Sequence, residues 1–212
     1  MLYIKINNEF EIRKGDVFMT LIIDYLLSML KYSIVFTPIY IIFRIQYLKK
    51  VKTVNIYREI TLLLFIIYLI SIASQTIIPE WNISNGRLHI NWRIDFINQI
   101  NLIPFKTIGM YLTNIETDII ALYNILGNTI LFSPFGAFLP MLWKKFDSLK
   151  RELLIAFLIT SLIECMQIFL NRTVDIDDII LNIVGIIFGY AIFIILKSSK
   201  KFLYFINKIR FS

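Results

Sequence analysis

The sequence predicts an all-α integral membrane protein with about five transmembrane helices and small extracellular β-hairpin segments. Apolar residues make up 58% of its 212 residues and charged residues only 17%, so it has too little polar surface for a soluble domain of this length. The mean hydropathy is +0.71, and the apolar residues form blocks near the length of about 20 that crosses a bilayer. The basic residues lie between these blocks. The formal charge of +7 therefore does not indicate nucleic-acid binding.

We predict a single membrane domain, residues 1–212, with helices at about 17–43, 60–78, 122–143, 153–170 and 179–196. In the first helix, Asp24 and Lys31 share a face but are too far apart to touch, so we expect their partners on another helix. Pro134 and Gly136 are expected to interrupt the third helix near its middle. The apolar and basic stretch at 202–211 is too short to span, and we expect it to lie on the inner membrane surface.

The distribution of basic residues predicts an N-terminus outside and a C-terminus inside. The loops 44–59 and 144–151 and the tail 197–212 carry five, four and five of the 22 basic residues. Two helices separate each of these segments from the next, so five helices place all three on one side. By the positive-inside rule that side is the cytoplasm. The loop 79–121 then faces outward.

Two outer segments have the alternating pattern of β-strands. Apolar residues alternate on both sides of Asn85-Gly86, a dipeptide typical of two-residue hairpin turns. Residues 2–12 alternate around Asn7-Asn8 in the same way. For this N-terminal segment a loop without regular structure is an equally acceptable interpretation.

Polar residues recur at one depth of the predicted membrane domain. On insertion scales a charged side chain in the bilayer costs at least about 2.5–3.5 kcal/mol, so such residues invite a functional explanation. The third, fourth and fifth helices direct polar groups to the outer third of the membrane; these are Asn124, Asn128, Ser161, Glu164, Gln167, Asp178 and Asn182. Charged residues follow just above this depth; these are Arg172, Asp175 and Asp177.

Each of these features also has a structural interpretation. We expect Arg172 to pair with Glu164, because a buried carboxylate without a partner would take up a proton. The aspartates at 175–178 could be a solvated helix start or could bind Mg²⁺ or Ca²⁺ through oxygens. Gly185 and Gly189 favour close helix packing over ligand binding. Asn128 and Ser161 could equally link helices by hydrogen bonds.

Metal and redox sites receive little support from the sequence. His89 is the single histidine and Cys165 the single cysteine, so neither a histidine-rich metal cluster nor an internal disulfide can form. Any metal would have to be held by oxygen ligands, and we predict no metal and no cofactor.

The order of several short motifs resembles the VanZ family over about residues 60–196, most of the chain. The motifs are Asn101-Leu102-Ile103-Pro104-Phe105, Asn124-x-x-Gly127-Asn128, Phe132-Ser133-Pro134-Phe135-Gly136, Ser161-x-x-Glu164-x-x-Gln167 and Arg172-x-x-Asp175-x-Asp177-Asp178-x-x-x-Asn182-x-x-Gly185. The family consists of small bacterial membrane proteins, and its namesake is linked to low-level teicoplanin resistance. The resemblance implies that role, and a location as a multi-pass protein of a bacterial plasma membrane, as expectations. It also implies one ligand-binding site formed by Asn101, Asn124, Asn128, Glu164, Gln167, Arg172, Asp175, Asp177, Asp178 and Asn182.

Three functions remain open at this point. The first is a non-enzymatic envelope protein that binds a cell-wall precursor, a lipid headgroup or a lipophilic drug such as a lipoglycopeptide. The second is a membrane-embedded enzyme with Glu164 and Asp178 as candidate catalytic residues; no activated nucleophile is visible, but hydrolysis by carboxylates needs none. The third is a small transporter that uses Asp24, Lys31 and Glu164 as an ion path. The oligomeric state is not predicted, and the surrounding lipid bilayer is the one partner that the composition implies.

Overall fold

The computed structural model describes residues 14–79, 81–90, 100–114, 119–170 and 173–210. Within these ranges five helical segments are long and apolar enough to cross a membrane: Ile22–Leu48, Ile56–Thr76, Asn124–Leu142, Leu149–Leu170 and Ile176–Lys197. The described chain is mainly helical, as predicted, and it contains the expected five helices that are long and apolar enough to span a membrane. The strand pair predicted at residues 2–12 lies outside the described residues.

Seven α-helices and four short strands follow one another along the described chain. The helices are α1 Lys14–Leu48, α2 Ile56–Thr76, α3 Lys106–Asn114, α4 Ile119–Leu142, α5 Leu149–Gln167, α6 Ile176–Lys197 and α7 Lys200–Arg210. The strands are β1 Trp81–Ser84, β2 Arg87–Ile90, β3 Ile100–Asn101 and β4 Val174–Asp175. Several helices extend beyond the predicted apolar blocks, because helical hydrogen bonding continues into their polar flanks.

The packing of α4 against α6 forms the centre of the bundle, and glycines permit it. A Cβ atom on Gly136 would overlap the backbone carbonyl of Ile186, and Cβ atoms on Gly185 and Gly189 would overlap carbonyls of α4. Small residues at such crossings let two helix backbones approach closely in a membrane. Gly185 and Gly189 are therefore a close-packing face, as their spacing indicated.

The predicted interruption of the third spanning helix at Pro134 and Gly136 is wrong, because α4 is continuous through both residues. The Tyr68 hydroxyl of α2 lies in the hydrogen-bond ladder at this point. It donates to the Leu131 carbonyl at 2.8 Å and accepts from the Phe135 N–H at 3.0 Å. These two backbone groups are four residues apart and would bond each other in a regular helix. The inserted hydroxyl thus satisfies both groups beside the proline.

The loop between α2 and α4 contains the predicted hairpin and a helix that was not predicted. Strands β1 and β2 pair antiparallel across Asn85-Gly86, whose φ angles of 52° and 70° are those of the expected turn. Lys31 of α1 donates to the Trp81 carbonyl at 2.6 Å, with its ammonium 3.8 Å from the centre of the Trp81 ring. The partner of Lys31 is therefore in a strand and not on another helix. Helix α3 occupies residues that the sequence left as loop.

The three basic segments meet at one end of the bundle, which we call the basic end. Asp147, between α4 and α5, accepts from Lys197 at 2.8 Å and from Arg210 at 2.5 Å. Asn55 donates to the Lys208 carbonyl of α7 at 2.7 Å. Helix α7 buries Ile206 and Ile209 completely. It therefore packs on the protein, and its expected location at the inner membrane surface stays a prediction. Which side of the membrane this end faces stays a prediction.

Candidate functional site

Asp177, at the opposite end of the bundle, fixes the start of α3. The Asp177 side chain is fully buried. It accepts hydrogen bonds from the backbone N–H groups of Phe105 at 2.6 Å, Thr107 at 2.7 Å and Ile108 at 3.0 Å. The first N–H groups of a helix have no partner within it, and an acidic side chain there suits the helix dipole. A residue of α6 thus provides the cap of a helix about 70 positions earlier.

Asp175 connects the same region to the start of α6. One of its oxygens caps α6 by accepting from the Asp177 N–H at 2.9 Å and also accepts from the Asn101 amide at 3.0 Å. The other accepts from the Thr107 hydroxyl at 2.5 Å. The parallel pairing of β3 with β4 brings Asn101 opposite Asp175. Asp175 and Asp177 are 6% and 0% exposed, so the interpretation as a solvated helix start is wrong for both.

Glu164, near the end of α5, belongs to the same network. Its side chain is 1% exposed, and it accepts from the Asp175 N–H at 3.1 Å. This bond ties α5 to β4. Arg172, the partner predicted for Glu164, lies outside the described residues. We call Asn101, Thr107, Glu164, Asp175 and Asp177 the carboxylate network.

A polar cavity of about 460 Å³ lies beside this network, and we call it the chamber. Helices α1 to α6 all contribute to its wall, together with the residue before β4. The lining consists mainly of amides and hydroxyls and is formed by Tyr25, Gln75, Thr76, Tyr111, Asn124, Gly127, Asn128, Leu131, Gln167, Thr173 and Asp178. Its volume lies in the range of roughly 300–1,000 Å³ that is usual for small-molecule sites.

Protein contacts hold part of this lining in place. Asn128 donates to an Asp178 oxygen at 2.7 Å, which joins α4 to α6. Asn124 donates to the Tyr111 hydroxyl at 3.1 Å, which joins α4 to α3. Gln167 is 8% exposed and lines the chamber. Its amide makes no hydrogen bond with the described part of the chain, so its donors and acceptor are available to a ligand.

The residues predicted as one site therefore fall into two adjacent groups. Asn101, Glu164, Asp175 and Asp177 form the carboxylate network, whereas Asn124, Asn128, Gln167 and Asp178 line the chamber. Asn182 of α6 belongs to neither group. Its side chain is 3% exposed, and its side-chain oxygen has no hydrogen-bond partner in the described structure.

Sequence reasoning missed Thr107, Tyr111, Gln75 and Thr173. Each is a single polar residue without a motif of its own, and the sequence contains no signal that would have found it. Among the described residues no group of three or more His, Cys, Asp or Glu side chains is arranged to hold a metal ion.

Comparison with known proteins gives one match. The model of a family described as VanZ/LLP1 matches residues 60–197, more than half of the chain. The match includes the carboxylate network and most of the chamber, and it excludes α1. Neither the curated proteins nor the solved structures compared with the chain give a match.

Proposed function

The chain belongs to the VanZ/LLP1 family, and from this premise we propose that it is a bacterial cell-envelope protein with a ligand-binding chamber. In this proposal the chamber opens to the outer face of the plasma membrane. It binds the polar part of a cell-wall precursor, a membrane lipid or a lipophilic glycopeptide. By doing so the protein contributes to resistance against teicoplanin.

The amide of Gln167, which has no hydrogen-bond partner among the described residues, is the observation that carries this proposal. The Gln167 side chain lines the chamber and makes no hydrogen bond with the described residues, so its amide can exchange hydrogen bonds with a ligand. Such a group, in a cavity with the Asn124, Asn128 and Asp178 side chains, suits a ligand that supplies the missing partner. Convergent polar groups in a cavity of this size are the usual basis of a binding-site hypothesis.

The carboxylate network supports the same function by fixing the neighbouring chain. Asp175 and Asp177 anchor α3 to α6, and α3 supplies Tyr111 to the chamber. Glu164 anchors β4 to α5, beside Thr173 and Gln167 of the chamber wall. A wall that is held before the ligand arrives loses less conformational entropy on binding.

The contacts of Glu164 favour binding over the enzymatic alternative. Glu164 bonds to backbone at 1% exposure and does not line the chamber, which suits a positioning role. Asp178 is the one carboxylate among the described lining residues. Glycoside hydrolysis commonly uses a pair of carboxyl groups that face the substrate. A single carboxylate in the described lining suits binding better, so the proposed primary function is binding.

Teicoplanin carries an acyl chain and vancomycin does not, so a site at the membrane boundary can distinguish them. The test is to express the chain in a susceptible Gram-positive host and to measure growth inhibition by both drugs against an empty-vector control. We expect the inhibitory concentration of teicoplanin to rise at least fourfold, with less than a twofold change for vancomycin. If the expressing strain and the empty-vector strain have the same inhibitory concentration of teicoplanin, and expression is verified, the resistance role is contradicted.

A further inference from the structure

An apolar groove of about 370 Å³ adjoins the chamber. Residues of α1 such as Leu26 and Met29 form one side, and residues of α4 such as Leu126 and Ile130 form the other. Leu26 and Ile130 are 53% and 63% exposed, and both lie in segments apolar enough to span a membrane. The groove therefore opens sideways, toward the position of the lipid chains.

The groove and the chamber meet at Gly127. Both cavities are lined by Tyr25, Gly127 and Leu131. A Cβ atom built on Gly127 meets no atom of the described structure within 4 Å, so no side chain closes the passage at this position. From Asn124 in the chamber to Pro134 in the groove the axis of α4 rises about 15 Å. The polar cavity thus lies at the end of the spanning helices, and the apolar groove runs from it toward their middle.

The chamber lining indicates the kind of headgroup that it accepts. It offers the amides of Gln75, Asn124, Asn128 and Gln167 and the carboxylate of Asp178, and none of its described residues is Lys or Arg. Amides and carboxylates exchange hydrogen bonds with hydroxyl groups. A phosphate would instead favour basic side chains or a helix N-terminus.

We infer that the ligand is a lipid with an uncharged, hydroxyl-rich headgroup, a glycolipid, whose chain occupies the groove and whose sugar occupies the chamber. The lipid enters sideways between α1 and α4, without leaving the bilayer. At Gly127 the chain in the groove is connected to the sugar in the chamber. This inference rests on the proposal that the chamber is the ligand site and adds the class of ligand and its route.

The test uses the full chain in phospholipid vesicles with an alkyl glucoside that carries a photoreactive diazirine in its chain. We expect labelling of peptides that contain residues 22–29 and 126–134. Excess unlabelled alkyl glucoside should reduce this labelling at least tenfold, whereas an alkyl phosphate of the same chain length should leave it unchanged. Gly127→Leu should reduce the labelling at least tenfold, because its side chain fills the passage.

Gly109→Leu is the matched control, since a Cβ on Gly109 also meets no described atom within 4 Å and Gly109 lines neither cavity. This variant should label like the wild type. If Gly127→Leu does not fold, Leu126→Trp replaces it in the labelling test, because the larger side chain narrows the groove from the lipid side. Wild-type labelling in the blocked variant, or competition by the phosphate equal to that by the glucoside, overturns the inference.

The resistance assay separates this inference from the proposed function. Suppose that the glucoside fails to compete while teicoplanin resistance still depends on Gln167. The glycolipid inference is then wrong and the chamber keeps its role. Suppose instead that the glucoside binds as described and resistance is absent. The inferred ligand then stands and the resistance role falls.

Discussion

The buried carboxylate of Asp177 in α6 accepts a hydrogen bond from the backbone N–H of Thr107, the second residue of α3, at 2.7 Å. The same carboxylate also binds the N–H groups of Phe105 and Ile108. Through this contact the end of one spanning helix determines where a loop helix begins. The chamber wall that contains Tyr111 depends on that position.

Asp177→Ala should unfold the start of α3 and destabilise the protein. Three N–H groups would lose a charged acceptor, and we expect a loss of about 2–4 kcal/mol on the basis of lost caps and charge-assisted hydrogen bonds. Hydrogen–deuterium exchange at residues 105–108 should accelerate, together with a lower melting temperature in detergent. Asp24→Asn, at an exposed position of α1, is the control. It should change neither the exchange at residues 105–108 nor the melting temperature. Unaltered exchange at 105–108 in the Asp177 variant would contradict the capping role.

Tyr68→Phe should weaken α4 beside Pro134. The substitution removes the hydroxyl that bonds Leu131 and Phe135 and leaves both backbone groups to find new partners. We expect a loss of about 1–2 kcal/mol, measured by thermal unfolding in detergent. Tyr47→Phe removes a hydroxyl from a side chain that is 55% exposed and should change the melting temperature by no more than about 1 °C. Equal melting temperatures for the two variants would mean that the inserted hydroxyl contributes nothing.

Stability at the basic end should fall in acid because of Asp147. Burial raises the pKa of this carboxyl, but hydrogen bonds and charges from Arg210 and Lys197 outweigh it, so the pKa lies below the usual 3.8. A carboxylate with a depressed folded-state pKa stabilises the protein above its unfolded pKa, and the effect is lost as the pH falls through the folded value. Asp147→Asn should therefore lower the melting temperature at pH 7, and its difference from the wild type should shrink below about pH 4. Parallel melting curves of the two proteins from pH 7 to pH 3 would contradict this account.

The orientation of the bundle can be tested with single cysteines. In a Cys165→Ser background, Ser84→Cys in the hairpin and Ser148→Cys at the basic end both offer exposed positions. We expect a membrane-impermeant maleimide to label position 84 in intact cells and position 148 only after the membrane is opened. The reverse pattern would place the chamber in the cytoplasm and remove the basis for a role at the cell surface.

Local signals in the sequence predicted the parts of the structure that depend on nearby residues. Apolar blocks predicted the five spans because length and hydropathy suffice for that inference, and Asn85-Gly86 predicted the turn because its φ angles suit those residues. The spacing of Gly185 and Gly189 predicted a packing face because they are four positions apart, which puts both on one side of a helix.

Long-range contacts account for what the sequence did not predict. Helix α3 depends on a cap from Asp177, about 70 residues later in the chain. The backbone of α4 beside Pro134 is hydrogen-bonded by Tyr68 of another helix. Motif order named polar residues, and the structure places those that it describes toward one end of the bundle. Motif order could not separate those that hold the backbone, such as Asp175, from those that line a cavity, such as Gln167, because both types occur in the same motifs.

The most direct test of the chamber as the functional site is teicoplanin susceptibility of Gln167→Leu and Met166→Leu at equal membrane levels. Leucine at position 167 keeps most of the side-chain volume and breaks no hydrogen bond of the described structure, but it removes the amide from the chamber. Met166 is a neighbouring residue, 41% exposed and outside the chamber lining. We predict that Gln167→Leu loses the resistance conferred by the wild type and that Met166→Leu keeps it. Full resistance in the Gln167→Leu strain would contradict the central claim.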